Sequence, residues 1–244
     1  MKYHVLASGS KGNCFVLQSN EATIVVDCGS TKKHLTQSFH TIGVNYTQVD
    51  GLLITHLHTD HISQLRMFAD VPKYSPVQFL NGYHFELVQP LETFKIKDIT
   101  ITPIPLSHDS EQTVGYIFVS ADEKLVYMTD TGYVNDSLLP LLHNATYIVI
   151  ESNHDPVLLM NSRRPFSTKS RILSDSGHLS NEACALVLKK VVGPAIKEIV
   201  LAHISEEANT HALAFSTVKE ALEDIVEVEI KVAKQFDMII GGTQ

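Results

Sequence analysis

Residues 52–61 read Leu-Leu-Ile-Thr-His-Leu-His-Thr-Asp-His. An apolar strand-like run that ends in three imidazoles and a carboxylate restricts what the chain can fold into. Buried together without a cation, these groups would leave polar atoms unpaired in a low dielectric, at a cost of several kcal/mol. In extended chain, side chains two apart point to the same side. His56 and His58 therefore reach one ion together. The chain then turns, and Asp60 and His61, at the start of the next helix, face a second. Imidazole with carboxylate suits zinc, and also manganese or iron. No thiolate is required.

Two ions need more donors than this cluster holds, and the chain offers others at predicted strand ends: His108 after 99–106, Asp130 after 124–129 and His203 near the end of 198–204. Asp130 is suited to bridging, because each carboxylate oxygen can bind one ion. His4, His34, His40, His84, His143 and His211 lack such a setting and read as ordinary core or surface histidines.

The bulk properties narrow the class. The 244 residues suit one large domain, here taken as 1–244, and a chain of this length needs no disulfide to hold its core. Cys14, Cys28 and Cys184 are odd in number and include no CxxC pair, so they read as small buried apolar residues. No apolar run is long enough to span a membrane, and the first residues lack the apolar core of a secretory signal, which predicts a cytoplasmic protein. The net charge of −8 argues against a broad basic face for nucleic acid, so any such substrate would be gripped locally.

Strands are predicted at 3–8 and 14–18 around the turn Gly9-Ser10-Lys11-Gly12-Asn13, at 22–27, 51–55, 99–106, 114–120, 124–129, 146–151 and 198–204, and within 226–240. Helices are predicted at 31–39, 63–68, 137–143, 181–192 and 208–225, with Ser180 as an N-cap and Gly193-Pro194 as a stop. Strands mixed with helices, without a regular βαβ beat, suggest two sheets with helices outside them.

In its order of motifs the chain resembles the metallo-β-lactamase fold superfamily: His-x-His-x-Asp-His at 56–61, then His108, Asp130 in Thr-Asp-Thr-Gly, and His203. The resemblance implies a four-layer αββα sandwich of α+β class with the metals at one edge between the sheets. Within the superfamily, Asp130 stands where the commonest zinc β-lactamases carry a cysteine ligand, and His58 where redox diiron members carry glutamate. The 73 residues from Asp130 to His203 are too few for the domain that β-CASP nucleases insert there. The chain is most similar to the WalJ/YycJ-like exonuclease group, and more distantly to tRNase Z. The segments that carry this are Ala7-Ser8-Gly9-Ser10-Lys11-Gly12-Asn13-Cys14, Glu151-Ser152-Asn153-His154-Asp155, Ser176-Gly177-His178-Leu179-Ser180-Asn181-Glu182 and Ala202-His203-Ile204-Ser205-Glu206-Glu207. Lys11 departs from the small hydroxyl residue expected in that turn.

The resemblance implies one metal on His56, His58, His108 and Asp130, a second on Asp60, His61, Asp130 and His203, and a bridging hydroxide that attacks phosphorus. It thus implies a metal-dependent phosphodiesterase or nuclease, with 5′-to-3′ exonuclease-like action on DNA and two divalent ions, zinc first. Asp60 and His178 take catalytic roles, His178 as the acid for the leaving oxygen, and Asp27 orients a ligand histidine. Lys169 and Arg171, in a basic run with Arg163 and Arg164, are candidate phosphate contacts, with Lys11, Asn13 and His154 as further substrate contacts. The competing readings are a hydrolase of small thioesters, lactones or cyclic phosphodiesters, and a non-catalytic regulatory module.

Overall fold

The computed structural model describes residues 1–78 and 82–243. Strands β1 (Lys2–Ala7), β2 (Cys14–Gln18), β3 (Thr23–Val26), β4 (Gly51–Leu53), β5 (Lys73–Ser75) and β6 (Glu86–Leu87) form one sheet in that order, with helix α1 (Lys32–Thr41) between β3 and β4 and α2 (Thr59–Ile62) after β4. Strands β7 (Phe94–Ile96), β8 (Ile99–Leu106), β9 (Thr113–Ser120), β10 (Glu123–Met128), β11 (Tyr147–Glu151), β12 (Glu198–Ala202) and β13 (Glu229–Val232) form the second. The last strand, β14 (Ile239–Gly242), returns to the first sheet and pairs with β1.

Both sheets follow one plan. An antiparallel meander, β1-β2-β3 or β7-β8-β9-β10, continues into parallel strands, β3-β4-β5-β6 or β10-β11-β12-β13. Strand alternation then builds the layers. In β10 and β11, Leu125, Tyr127, Tyr147 and Val149 face the other sheet and meet Tyr3, Phe15, Leu17 and Ile24 there. Val126, Met128, Ile148 and Ile150 face outward. They are covered by helices α3 (Leu139–Leu142), α6 (Asn181–Val191) and α7 (His211–Leu222). On the other side, Leu35 and Phe39 of α1 and Phe68 cover Val16, Val25 and Leu52. The result is an αββα sandwich with one core between the sheets and one beneath each helical layer.

The sequence-based elements need adjusting at a few ends. The helix predicted over 208–225 begins at His211, because the Thr210 side chain accepts from the Leu213 N–H and caps it. Residues 63–68 form only a 3-10 turn over Leu65–Phe68. Two short helices flank the basic run, α4 (Pro156–Asn161) and α5 (Phe166–Ile172): Lys169 and Arg171 lie on α5, and Arg163 and Arg164 in the link between the two. Asp155 caps α4 and Pro156 occupies its first turn, a start signal that the sequence carries.

β10, β11 and β12 run parallel, and β8 shares their direction across β9, so their C-terminal ends lie along one edge. Those ends lead into His108, Asp130, Glu151 and His203. On the facing sheet, the parallel pair β3-β4 ends at Asp27 and at the 55–61 segment.

Candidate metal centre

The strand ends bring seven candidate donors to one place. His56, His58 and His108 form one group; His56, His61 and Asp130 a second; Asp60, His61 and His203 a third. Within each group the potential ligand atoms lie within 4.8 Å of one another. Asp130 is central: Oδ2 is 3.3 Å from His61 Nε2, and Oδ1 is 3.5 Å from His203 Nε2 and 3.9 Å from His108 Nε2. Asp27, Asp130 and His203 all have positive φ, in the left-handed region, which costs a non-glycine residue about 1–2 kcal/mol. The strain falls where the strands turn their last side chains inward.

Each buried imidazole is held from behind. His61 Nδ1 donates to Asp27 Oδ2 at 2.7 Å, and Asp27 in turn accepts from the Thr55 N–H and hydroxyl, both at 2.8 Å. His56 Nδ1 lies 3.1 Å from the Thr55 hydroxyl. His108 Nδ1 donates to the Gly177 carbonyl at 3.1 Å. His203 Nδ1 donates to Glu151 Oε1 at 2.8 Å. A ring fixed through Nδ1 presents a bare Nε2 lone pair to the centre.

A fit to divalent cations follows from what these atoms lack. His56 Nε2, His203 Nε2 and Asp130 Oδ2 are buried and have no hydrogen-bond partner among the described residues. Leaving buried polar atoms unmade is costly, about 1–3 kcal/mol each. Convergent imidazole nitrogens around a carboxylate are the donor set that zinc and similar ions take. The electrostatics agree. Burial opposes ionisation of Asp130, yet His203 and His61 hold it well below the usual carboxylate range. Burial would lower His203, but Asp130 and Glu151 raise it to about 9. Without an ion, the raised proton affinity of His61 and His203 puts a second proton on Nε2, where a bound cation's charge would otherwise serve and leave that lone pair bare.

His178 reaches the same centre from the loop before α6. Its ring lies 5.0 Å from that of His108 and 5.2 Å from that of His203, and Nδ1 donates to Glu151 Oε1 at 2.7 Å. Glu151 is fully buried and also accepts from the Thr131 and Leu179 N–H groups. Burial opposes its ionisation, but His178 and His203 bring it down to about 2.

The candidate substrate contacts are placed differently from one another. Asn13 is buried; its side chain bonds within the Gly9–Asn13 turn and meets His61 Nε2 at 2.9 Å and Asp60 Oδ2 at 3.4 Å. Lys11 is exposed at the rim and pairs with Glu206 at 2.5 Å. Lys169 Nζ donates to the Met160 carbonyl, and Arg171 pairs with Asp109. His154 is only 1% exposed, and burial lowers it to about 4, so it is neutral at pH 7.

Glu151 and Asp109 join the site although sequence reasoning gave neither a role. Asp109 Oδ1 lies 3.2 Å from His108 Nε2. Glu151 ends an apolar strand as Asp130 does, and that shared position is the signal that could have found it.

The beta-lactamase superfamily domain family matches residues 22–204. Exodeoxyribonuclease YycJ of Bacillus anthracis is 36% identical over 239 residues, covering 92% of this chain and 90% of that protein. Exodeoxyribonuclease WalJ of Streptococcus pneumoniae is 35% identical over 238 residues, covering 91% and 88%. Among solved structures, the metallo-beta-lactamase fold protein YhfI from Bacillus subtilis superposes with a TM-score of 0.73 at 18% identity, covering 98% of each chain.

Proposed function

The chain belongs to the metallo-β-lactamase superfamily, within the YycJ/WalJ-like group, and on that premise we propose that it is a metal-dependent phosphodiesterase that trims nucleic acid as a 5′-to-3′ DNA exonuclease. The observation that carries the reading is the juxtaposition of the buried, unpartnered donor set with His178, an imidazole held by a buried carboxylate. The names of the two relatives support DNA as the polymer.

In this reading His56, His58, His108 and Asp130 would hold one divalent ion, and Asp60, His61, Asp130 and His203 would hold a second, zinc being the first choice. Such ions supply a lowered pKa for water and Lewis acidity toward phosphoryl oxygens. The chain's own residues do the rest. Asp27, Thr55 and Glu151 fix the imidazoles through Nδ1. Asp60, beside Asn13, completes the second donor group and orients the attacking oxygen. Glu151 holds His178 Nδ1, leaving Nε2 to carry the proton for the departing alkoxide. Lys11 and Arg171 are held in exposed ion pairs weak enough to exchange for phosphate, and Lys169, on the same helix as Arg171, would have to leave the Met160 carbonyl to do so. His154 is buried three residues beyond Glu151.

The test is metal-loaded protein given 5′-phosphorylated and 5′-hydroxyl DNA and RNA beside a small phosphodiester and a thioester. Stepwise release from a DNA 5′ end, lost in Asp60→Ala, is the expected result. His178→Ala should keep its metal content and lose about 10²–10⁴-fold in rate on poor leaving groups. Thioester cleavage with no phosphodiester cleavage would overturn the reading in favour of a small-molecule hydrolase.

A further inference from the structure

The turn between β1 and β2 touches three of the candidate donors at once. The Ser8 hydroxyl accepts from the His203 N–H at 2.8 Å, and the Asn13 N–H donates to the Asp60 carbonyl at 2.8 Å. The Asn13 side chain lies against both Asp60 and His61. Asp60, His61 and His203 are together one of the convergent groups. Imidazoles of the other ion's group are held from elsewhere, His56 by Thr55 and His108 by the Gly177 carbonyl. The placement of Asp60, His61 and His203 therefore depends on a turn in which Gly9 and Gly12 both have positive φ. Glycine has the widest backbone freedom of any residue, so such a turn needs bonds to hold one shape. Asn13 supplies some from within, bonding the Gly9 N–H and carbonyl.

Gln235 supplies the rest from the far end of the chain. It lies in the link that carries the chain from β13 in one sheet to β14 in the other. Its Oε1 accepts from the Lys11 N–H at 2.9 Å, its Nε2 donates to the Gly12 carbonyl at 2.9 Å, and its own carbonyl accepts from the Ser8 N–H at 3.3 Å. A carboxamide carries a donor and an acceptor in one plane, so it pairs with the turn as a peptide group would. The seat is close: a methyl group on Gly9 would lie 2.7 Å from Gln235 Oε1. The link is itself fixed at its start, where the Ala233 N–H donates to the Leu201 carbonyl of β12 at 2.8 Å, two residues before His203.

We propose that Gln235 is a positioning residue for the ion of Asp60, His61 and His203, and sets the affinity of that ion through the Gly9–Asn13 turn. This rests on the reading of the strand-end cluster as a metal centre. Groups that hold a metal's ligands from behind typically set affinity by about 10–100-fold, and Gln235 stands one contact further out, so about tenfold is expected. Because its bonds reach the donors of one ion, the effect falls on that ion and spares the other.

Gln235→Met keeps the length of the side chain and removes both of its hydrogen bonds. Metal-stripped wild type and variant are titrated with zinc by calorimetry. The variant should bind one ion as the wild type does and the other about tenfold more weakly. Double variants assign the site. With His58→Ala, which disables the other ion's group, Gln235→Met should weaken the remaining ion by the same factor. With Asp60→Ala, which disables the group that the turn holds, it should change nothing. Phe236→Ala is the control for a loosened link: Phe236 is exposed, its ring lies 5.1 Å from that of His34, and its loss should leave both affinities unchanged. Equal zinc affinities in wild type and Gln235→Met overturn the role. So does equal weakening of both ions, or the same loss in Phe236→Ala, either of which would make Gln235 a part of general stability. Zinc-loaded wild type that cleaves no phosphodiester removes the nuclease reading and leaves the positioning role standing. A wild type that binds no zinc removes the metal centre itself, and the role with it.

Discussion

Glu151 links His178 and His203 through one carboxylate oxygen, since Oε1 accepts from both. Neutralising it while keeping its shape should uncouple both. Glu151→Gln is expected to lower turnover about 10–100-fold, the usual effect of removing a carboxylate behind a metal-binding histidine, with weaker metal retention by mass spectrometry. Its neighbour His154 shapes acid stability. Burial is the largest influence on this imidazole and, with His178, lowers it to about 4, against about 6.5 in an unfolded chain. As pH falls through 6.5 the unfolded chain takes up a proton that the native state refuses until about 4. Stability is therefore lost across that window, on the order of 3 kcal/mol in full. Urea midpoints of metal-stripped protein should show this loss between pH 7 and pH 4, and His154→Asn should flatten it relative to wild type. Parallel curves for the two proteins would contradict the assignment.

The elements do their positioning through strand ends and close turns. Gly29 shows how tightly: a methyl group there would lie 1.5 Å from the Asp60 carbonyl oxygen, so the 27–30 turn and the first turn of α2 pack backbone to backbone. Gly29→Ala should push Asp60 and His61 out of register and cost most of the metal occupancy, read by titration of stripped protein. Much of this was legible in the sequence. The switch from apolar strand to polar end marks His56, His108, Asp130 and His203, because a strand's last inward side chain is set by period alone. Glu151 ends β11 in the same manner, but a single carboxylate carries no partner at fixed spacing. Its role appears only once β11 lies between β10 and β12. The helices α4 and α5 are too short for periodicity to register, and the polar residues of α5 and of the link before it read as loop. Asp109 was illegible for a different reason: it follows His108 directly, but its partner Arg171 lies 62 residues on and meets it only in the fold.

For the molecule as a whole, the return of β14 to β1 ties the end of the chain to the first sheet, and the core between the sheets draws on both halves. We propose that residues 1–244 form one domain, which should unfold in a single calorimetric transition. Ions that bind only the native state stabilise it by mass action, about 2.7 kcal/mol at a hundredfold excess over Kd. A chelator should then lower Tm by about 5–10 °C, the scale expected for a chain of this size, while preserving one transition. We propose that the strand-end cluster is a metal centre that cleaves phosphodiesters. The most direct measurement is stepwise titration of metal-stripped protein with zinc or manganese while hydrolysis of a phosphodiester is followed. Activity absent in the stripped protein and rising to a plateau at about two ions per chain, with no recovery in His61→Ala, is the result expected here. Cleavage that persists after stripping, or binding of ions in His61→Ala with full activity, would contradict it.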